Sequence, residues 1–335
     1  MFFNDKPLVL DLTRLLPGPY GTFLMAHFGM EVVKIEDRGA GDYMKTLCRV
    51  GDEEEALIYR LLNGNKERLF LDLKNPADRE EFLELVTRAR VVAESFRPGV
   101  MERLGLGYAT LKALNPRLIF INIGGYLDKS PKSERAGHDL NYLAESGIIG
   151  NTGKNGPEML GIPFADLTGG LAMFALVAGA LYRQQLTGEG MYLKIGIDEL
   201  MASWGNVAGS FFGAPAQYPP PGASMITGGL VCYNIYRARD GQVALAALEE
   251  KFWDNFIAAI NRPDLRAGHR TAAVADNPYF TEISAYFASR SRQEIMDLMR
   301  DADCCISPIL SLAEAVPADE AKQLRNFTDF IEYAI

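Results

Sequence analysis

The stretch PLVLDLTRLLPGPYGTFLMAHFGMEVVKIE, residues 7–36, decides the fold. It begins with a short apolar run, residues 7–12, which is typical of a buried strand. A Pro-Gly-Pro turn then leads into a predicted helix over residues 21–28, and Gly29 separates this helix from a second apolar run, residues 30–36. A strand, a turn, a helix and a strand within about thirty residues predict a βαβ unit, whose crossover favours a parallel sheet.

The same alternation continues towards the C-terminus. Further strands are predicted at residues 68–73, 91–95, 118–123 and 191–197. Helices are predicted between and after them, at residues 76–90, 101–115, 139–146, 171–186 and 198–210. The pattern is typical of an α/β fold with a doubly wound parallel sheet, in which ligands bind outside the carboxyl ends of the strands. No Gly-x-Gly-x-x-Gly motif follows the first strand, so a dinucleotide site is not expected.

A proline- and glycine-rich stretch over residues 211–229, which includes Pro219-Pro220-Pro221, is predicted to be a linker. Beyond it, two strands joined by a turn at Arg239-Asp240-Gly241 are followed by three predicted helices. We therefore expect a smaller α+β domain over residues 230–302. A last short strand is predicted at residues 306–310.

Composition excludes several classes of protein. With 335 residues, of which 48% are hydrophobic, the chain can bury sizeable cores in about two domains. The net charge of −9 argues against a nucleic-acid partner. The longest apolar run, residues 171–182, is shorter than the roughly 18 residues that a membrane span needs, so we expect a buried core helix and no membrane.

Three further features of the sequence bear on the state of the thiols, on metal binding and on location. Four cysteines without Cys-x-x-Cys spacing suggest reduced thiols, and three scattered histidines suggest no metal site. The residues MFFNDKPLVLDL lack the features of a secretory signal, so a cytoplasmic protein is expected.

Two glycine-flanked turns carry candidate chemistry. His138 stands in Gly137-His138-Asp139, and if it begins a helix, the helix dipole favours a neutral imidazole that can act as a base near pH 7. A packing role for this histidine is equally open. Asp166 precedes an apolar helix and is by default an N-cap residue. Glu249, where a strand meets a helix, is by default an acid favoured by the dipole.

Longer motifs, taken together, resemble the family III CoA-transferases, the group that also contains the α-methylacyl-CoA racemases. The motifs, in order, are LDLTR at 10–14, PGP at 17–19, EVVKIE at 31–36, NK at 65–66 with LDLK at 71–74, SFRPGVMERLGLG at 95–107, NPRLI at 115–119, AD at 165–166 and LTGEG at 186–190. The resemblance implies a homodimer of interlocked chains. It also implies a large CoA-binding α/β domain built from both chain ends, residues 1–210 and 303–335, with the small domain between them.

The resemblance also implies roles for site residues. Asp166 matches the catalytic aspartate of the family. Transferases tend to carry a tyrosine where His138 stands, whereas the Gly-His-Asp step is similar to the racemase branch, in which a histidine and an aspartate face opposite sides of the substrate α-carbon. Glu249 is similar to the glutamate that supports this histidine. The resemblance therefore implies 1,1-proton transfer on a 2-substituted acyl-CoA by His138, Asp166 and Glu249.

The resemblance further implies that CoA binds through Arg38, Phe96 and Arg97, with no cofactor beyond the CoA moiety of the substrate. Two departures from the family pattern concern residues 127–130, where a glycine-rich step is usual, and the chain end at Ile335, which implies a reduced C-terminal cover.

Two other functions stay open. A CoA transferase would use the Asp166 carboxylate to form a mixed anhydride and then an aspartyl-CoA thioester, and a catalytically silent relative would only bind CoA. A racemase needs Asp166 protonated, which requires its pKa to rise by roughly three units from about 3.9. Burial of the Asp166 carboxyl group favours this rise in pKa, whereas the helix N-terminus opposes it. His138 and Asp166 can also share one proton as a coupled pair.

Overall fold

A six-stranded parallel sheet forms the centre of the first of two compact units. The computed structural model describes residues 5–39, 41–153, 156–211 and 218–319. The strands are β1 Leu8–Leu12, β2 Glu31–Glu36, β3 Glu67–Phe70, β4 Val91–Glu94, β5 Ile119–Gly124 and β6 Met191–Gly196. Their order is β3-β2-β1-β4-β5-β6, with all neighbours parallel, which confirms the predicted doubly wound α/β fold. The order reverses between β1 and β4, where such sheets open a crevice for ligands.

Helices flank this sheet. They are α1 Pro17–His27, α2 Met44–Leu47, α3 Leu57–Asn63, α4 Pro76–Arg88, α5 Val100–Arg103, α6 Tyr108–Leu114, α7 Asp139–Glu145, α8 Phe164–Thr187 and the first part of α9 Ile197–Ser210, whose residues 206–210 fall in the second unit. The predicted helix over residues 101–115 is in fact two short helices, because Gly105 adopts φ +73° between them and a left-handed residue interrupts the helical hydrogen bonds.

The α1 and α8 helices pack closely at a pair of glycines. A Cβ atom at Gly21 would lie 2.9 Å from the Gly170 carbonyl oxygen, and one at Gly170 would lie 3.0 Å from the Gly21 nitrogen. Any larger residue would force the two backbones apart. The contact therefore fixes the start of α8 against the turn that follows β1.

The α8 helix is buried on one side only. Met173 and Val177 are fully buried, whereas Tyr182 and Leu186 are mostly exposed, so the prediction of a buried core helix holds for one face. Within the described residues, α8 is also the one helix long and apolar enough to cross a membrane by length and composition. Its packing on α1 and on β5 is what a core helix of a globular unit shows.

The second unit contains a three-stranded antiparallel sheet, β7 Tyr233–Ala238, β8 Gly241–Ala246 and β9 Ile306–Pro308. Its helices are α10 Glu250–Ala259, α11 Pro278–Ala288, α12 Arg292–Met299 and α13 Leu312–Ala315. Trp253, Phe256 and Phe287 form the centre of its apolar core.

The unit boundaries differ from the predicted domains. Residues 303–319 fall in the second unit rather than the large domain, because β9 hydrogen-bonds to β8, with Leu245 opposite Ile306. The described parts of 147–159 also belong to the second unit. Residues 212–217 of the predicted linker and residues 320–335 of the predicted large domain lie outside the described residues.

Candidate active site

A cleft of about 770 Å³ opens in the first unit beside the carboxyl ends of β4 and β5. The lining side chains that matter for chemistry are Arg14, Phe96, Arg97, His138, Tyr142 and Asp166. Four residues predicted from the sequence therefore share one cleft, although 70 positions separate Phe96 from Asp166. The cleft lies at the reversal of strand order, where the fold leads us to expect a ligand.

His138 occupies the N-cap position of α7, so the condition under which the helix dipole acts on its imidazole is met. Its backbone N–H donates to Asn141 Oδ1 at 3.0 Å, and its carbonyl accepts the Asn141 N–H at 2.8 Å. These bonds fix the backbone while the side chain is exposed at the cleft. The imidazole thus faces the cleft from the positive end of a short helix.

Asp166 lies in the first turn of α8, so the interpretation of it as an N-cap residue is wrong. The helix begins at Phe164, and Pro163 occupies the N-cap position. Asp139 Oδ1 accepts the free N–H groups of Ala165 at 2.6 Å and Asp166 at 3.1 Å. Because a side chain from α7 caps the helix, the Asp166 carboxyl group is not needed for this task. No hydrogen bond joins that carboxyl group to any residue that the structure describes.

The pKa of Asp166 is raised to about 7, first by burial and then by the negative charge of Asp139. Burial disfavours the ionised form of a carboxyl group, and a nearby like charge has the same effect. At neutral pH both the protonated and the ionised forms of Asp166 are therefore well populated.

Tyr142 is a further cleft residue that sequence reasoning missed. A Cβ at Gly125 would collide with its hydroxyl group, and one at Gly137 would lie 2.8 Å from its ring. Burial, and then the charge of Asp166, raise its pKa, so the hydroxyl group is a proton-bearing donor. The signal in the sequence was a pair of glycines in two separate loops, which identifies no contact by itself.

Arg14 is the second residue that was missed. Its guanidinium lies 5.3 Å from the Phe96 ring centroid and 5.8 Å from that of Tyr43, within cation–π range. Its place two positions after β1, beyond the carboxyl end of that strand, was the available signal. The next residue, Leu15, has φ +66° and donates its N–H to Asp42 Oδ1 at 2.9 Å.

A buried carboxyl group supports the segment that carries Phe96 and Arg97. Glu94 accepts the Phe96 N–H at 2.7 Å through Oε2 and the Asn122 amide at 2.7 Å through Oε1. Burial raises the pKa of Glu94 to about 7. These bonds hold the Phe96 backbone at the edge of the cleft.

A second cleft of about 370 Å³ extends over the carboxyl ends of β1, β2 and β3. Arg14 and Phe96 line both clefts, and Lys74 adds a cation to the second. Arg38 lines neither. Its guanidinium donates to the Phe70 carbonyl at 3.2 Å and pairs with Asp78 at 3.0 Å, with 61% of its side chain exposed.

Glu249 belongs to the second unit. It lies between β8 and α10, as predicted, at the N-cap position of α10, and it is exposed. Its carbonyl accepts the N–H of Trp253 at 3.2 Å, which anchors the first turn of α10. Its predicted support of His138 stays a prediction.

Comparisons with known proteins agree with these features. Residues 7–332 match the model of CoA-transferase family III. The chain is 31% identical to acetyl-CoA:oxalate CoA-transferase of Acetobacter aceti, over 93% of this chain and 82% of that protein. It is 30% identical to human alpha-methylacyl-CoA racemase, over 95% of this chain and 81% of that protein. A solved CaiB/BaiF family protein from Brucella suis superposes with a TM-score of 0.79 at 26% identity, covering 93% of this chain and 85% of the other.

Proposed function

The chain belongs to CoA-transferase family III, and from this premise we propose that it is an isomerase similar to α-methylacyl-CoA racemase. It would invert the α-carbon of a 2-substituted acyl-CoA thioester. The observation that carries the proposal is the cleft itself, which is lined both by His138 and by an Asp166 carboxyl group whose pKa is raised to about 7. A racemase needs such a group, because its carboxyl must donate a proton in one direction and accept it in the other.

The reaction would proceed by two proton transfers. The α-C–H bond breaks, its electron pair spreads onto the thioester oxygen as an enolate, and the proton passes to neutral His138. The Asp166 O–H bond then breaks, and its proton adds to the opposite face of the α-carbon. Imidazolium and carboxylate remain, which is the state required to convert the other enantiomer.

The two clefts suggest how the CoA moiety would bind. The second cleft contains Lys74 and Arg14, cations suited to phosphate groups, and it leads past Phe96 to the catalytic cleft. Arg97 lines the catalytic cleft and remains a proposed CoA contact. Arg38 would have to exchange its bond to Asp78 for a phosphate. The interlocked homodimer, the cytoplasmic location and the role of Glu249 belong to the same proposal.

CoA transfer between carboxylic acids is the second candidate. It is favoured by the 31% identity to a CoA-transferase over most of the chain. Here the ionised fraction of Asp166 would attack the thioester carbonyl carbon, and the CoA thiolate would leave. Both reactions thus depend on Asp166, but only the racemase also requires an acid–base partner at His138.

Isotope exchange separates the two reactions. The protein is incubated with (R)- or (S)-2-methylacyl-CoA in D₂O without an acceptor acid, and α-deuterium incorporation and optical activity are followed. We expect exchange that His138→Ala and Asp166→Ala each abolish, while the exposed control Asp297→Asn leaves it unchanged.

Two results would overturn the racemase proposal. One is acceptor-dependent CoA transfer without exchange, together with hydroxylamine inactivation that requires Asp166; this result would establish the transferase. The other is the absence of both deuterium exchange and CoA transfer while CoA still binds, which would indicate a relative that only binds CoA.

A further inference from the structure

We propose that Asp139 is a positioning residue for Asp166: its carboxylate holds the first turn of the helix that carries Asp166 and places a negative charge at that turn. The inference deepens the proposed function and rests on it. It assigns a second task to the carboxylate that follows His138 in the chain.

The first argument is the missing cap of α8. The first N–H groups of a helix have no partners within the helix and need acceptors from elsewhere. The N-cap residue of α8 is Pro163, whose side chain has no oxygen atom to accept them. Asp139 Oδ1, more than twenty positions earlier in the chain, accepts the N–H groups of Ala165 and Asp166 instead.

The second argument concerns the helix dipole. The positive end of a helix stabilises a carboxylate in its first turn and would keep Asp166 ionised. The Asp139 carboxylate brings a negative charge to that end of α8. It also accepts hydrogen bonds from the two N–H groups whose partial positive charges would otherwise stabilise the ionised form of Asp166. The dipole is thereby offset where a racemase needs a proton-bearing acid.

The third argument is the balance of charge around Asp166. Burial is the main cause of its raised pKa, and the charge of Asp139 adds to it. The other ionisable groups that line the cleft are Arg14, Tyr43, Arg97, Arg103, Glu134, His138 and Tyr142. Tyr20 on α1, the helix packed on α8, is half-buried and protonated, since burial raises its pKa. Asp198 on α9 acts on Tyr142, whose pKa its charge raises.

Substitutions of Asp139 distinguish a residue that only caps α8 from one whose charge also raises the pKa of Asp166. In Asp139→Asn the side-chain oxygen remains as an acceptor, but the charge is gone. In Asp139→Ala both are lost. If only the cap mattered, the asparagine variant would behave like the wild type.

The test measures the ionisation of Asp166 directly. The full-length protein is labelled with ¹³C at aspartate carboxyl groups and titrated by NMR without substrate, with Asp166→Asn identifying the signal. We expect a midpoint near pH 7 in the wild type and a midpoint lower by about one unit in Asp139→Asn. Glu134→Gln is the matched control, since it removes a negative charge from the same cleft without touching the cap; its midpoint should stay that of the wild type.

An unchanged midpoint in Asp139→Asn, or an equal shift in Glu134→Gln, would overturn the inference. If Asp139→Asn does not fold, Asp139→Ser provides a second neutral variant, because it also removes the charge, and an unchanged Asp166 midpoint there would overturn the inference as well. The titration contains no substrate, so it succeeds or fails independently of racemase activity. The proposed function is tested separately, by the deuterium exchange.

Discussion

The backbone N–H of Arg14 donates a hydrogen bond to the Ser95 hydroxyl group at 3.0 Å, across 81 positions of the chain. The two residues follow β1 and β4, the neighbouring strands between which the strand order reverses. The bond ties together the two loops that line the candidate active site. It also places the Arg14 guanidinium against Phe96, so the residues around this bond are the first to test.

Arg14→Ala should raise KM for an acyl-CoA thioester about tenfold, with little change in kcat. The variant loses a cation from both clefts and its contact with the Phe96 ring, interactions of about 1–2 kcal/mol together. Steady-state kinetics provide the measurement, and the exposed Arg88→Ala on α4 serves as a control for loss of positive charge. An unchanged KM would place CoA elsewhere.

Arg38→Ala should raise KM for acyl-CoA while leaving the melting temperature nearly unchanged. The Arg38–Asp78 ion pair is largely exposed on the arginine side, and such pairs contribute about 0.2–1 kcal/mol to stability. Asp78→Asn is the matched variant, because it weakens the pair but retains the guanidinium, and its KM should not rise. If Arg38→Ala leaves KM at the wild-type value, Arg38 has no part in CoA binding.

Lys34→Met should destabilise the protein by about 3–5 kcal/mol. The Lys34 ammonium group is fully buried, pairs with Asp42 at 3.0 Å and donates to the Thr13 carbonyl at 2.5 Å. The methionine variant would leave Asp42 buried without its cation. Urea denaturation measures the loss, and the double variant with Asp42→Asn should recover part of it. A loss below about 1 kcal/mol would show that water or a rearranged loop replaces the ammonium group.

Asp166→Asn should become more stable relative to the wild type as pH rises. In the folded protein the pKa of Asp166 is about 7, above its ordinary value of 3.8. Because this pKa is higher in the folded than in the unfolded chain, protonated Asp166 contributes fully to the free energy of unfolding below about pH 4. The contribution is lost as pH rises through 7.

Between pH 5 and pH 8 the difference in the free energy of unfolding should therefore shift by roughly 2–3 kcal/mol in favour of Asp166→Asn. Urea denaturation of both proteins at the two pH values measures it. Glu94, whose pKa is also raised, titrates in both proteins and cancels in the comparison. A constant difference across this range would mean that Asp166 is ionised throughout.

Much of the fold was predictable because local patterns and global topology agree. The apolar runs at β1, β2, β4 and β5 are buried strands, as their sequences predict, since a parallel sheet covered on both faces selects continuous apolar residues. The boundary between the units was not predictable. The strand β9 pairs with β8, about 60 positions earlier in the chain, through backbone hydrogen bonds. The three residues of β9 do not by themselves indicate with which strand they pair.

The features of the candidate active site likewise divide into those that the sequence predicts and those that only the tertiary structure shows. The sequence alone determined that an imidazole, His138, stands at a helix start and that a carboxyl group, Asp166, stands close to the start of an apolar helix. Only the tertiary structure decided that Asp139 rather than Asp166 caps α8, that Tyr142 fits against two glycines, and that Arg14 faces Phe96. Local residue preferences act over a few positions, whereas the pKa of Asp166 depends on burial and on a charge delivered from another helix. Its proton is therefore a property of the packed structure.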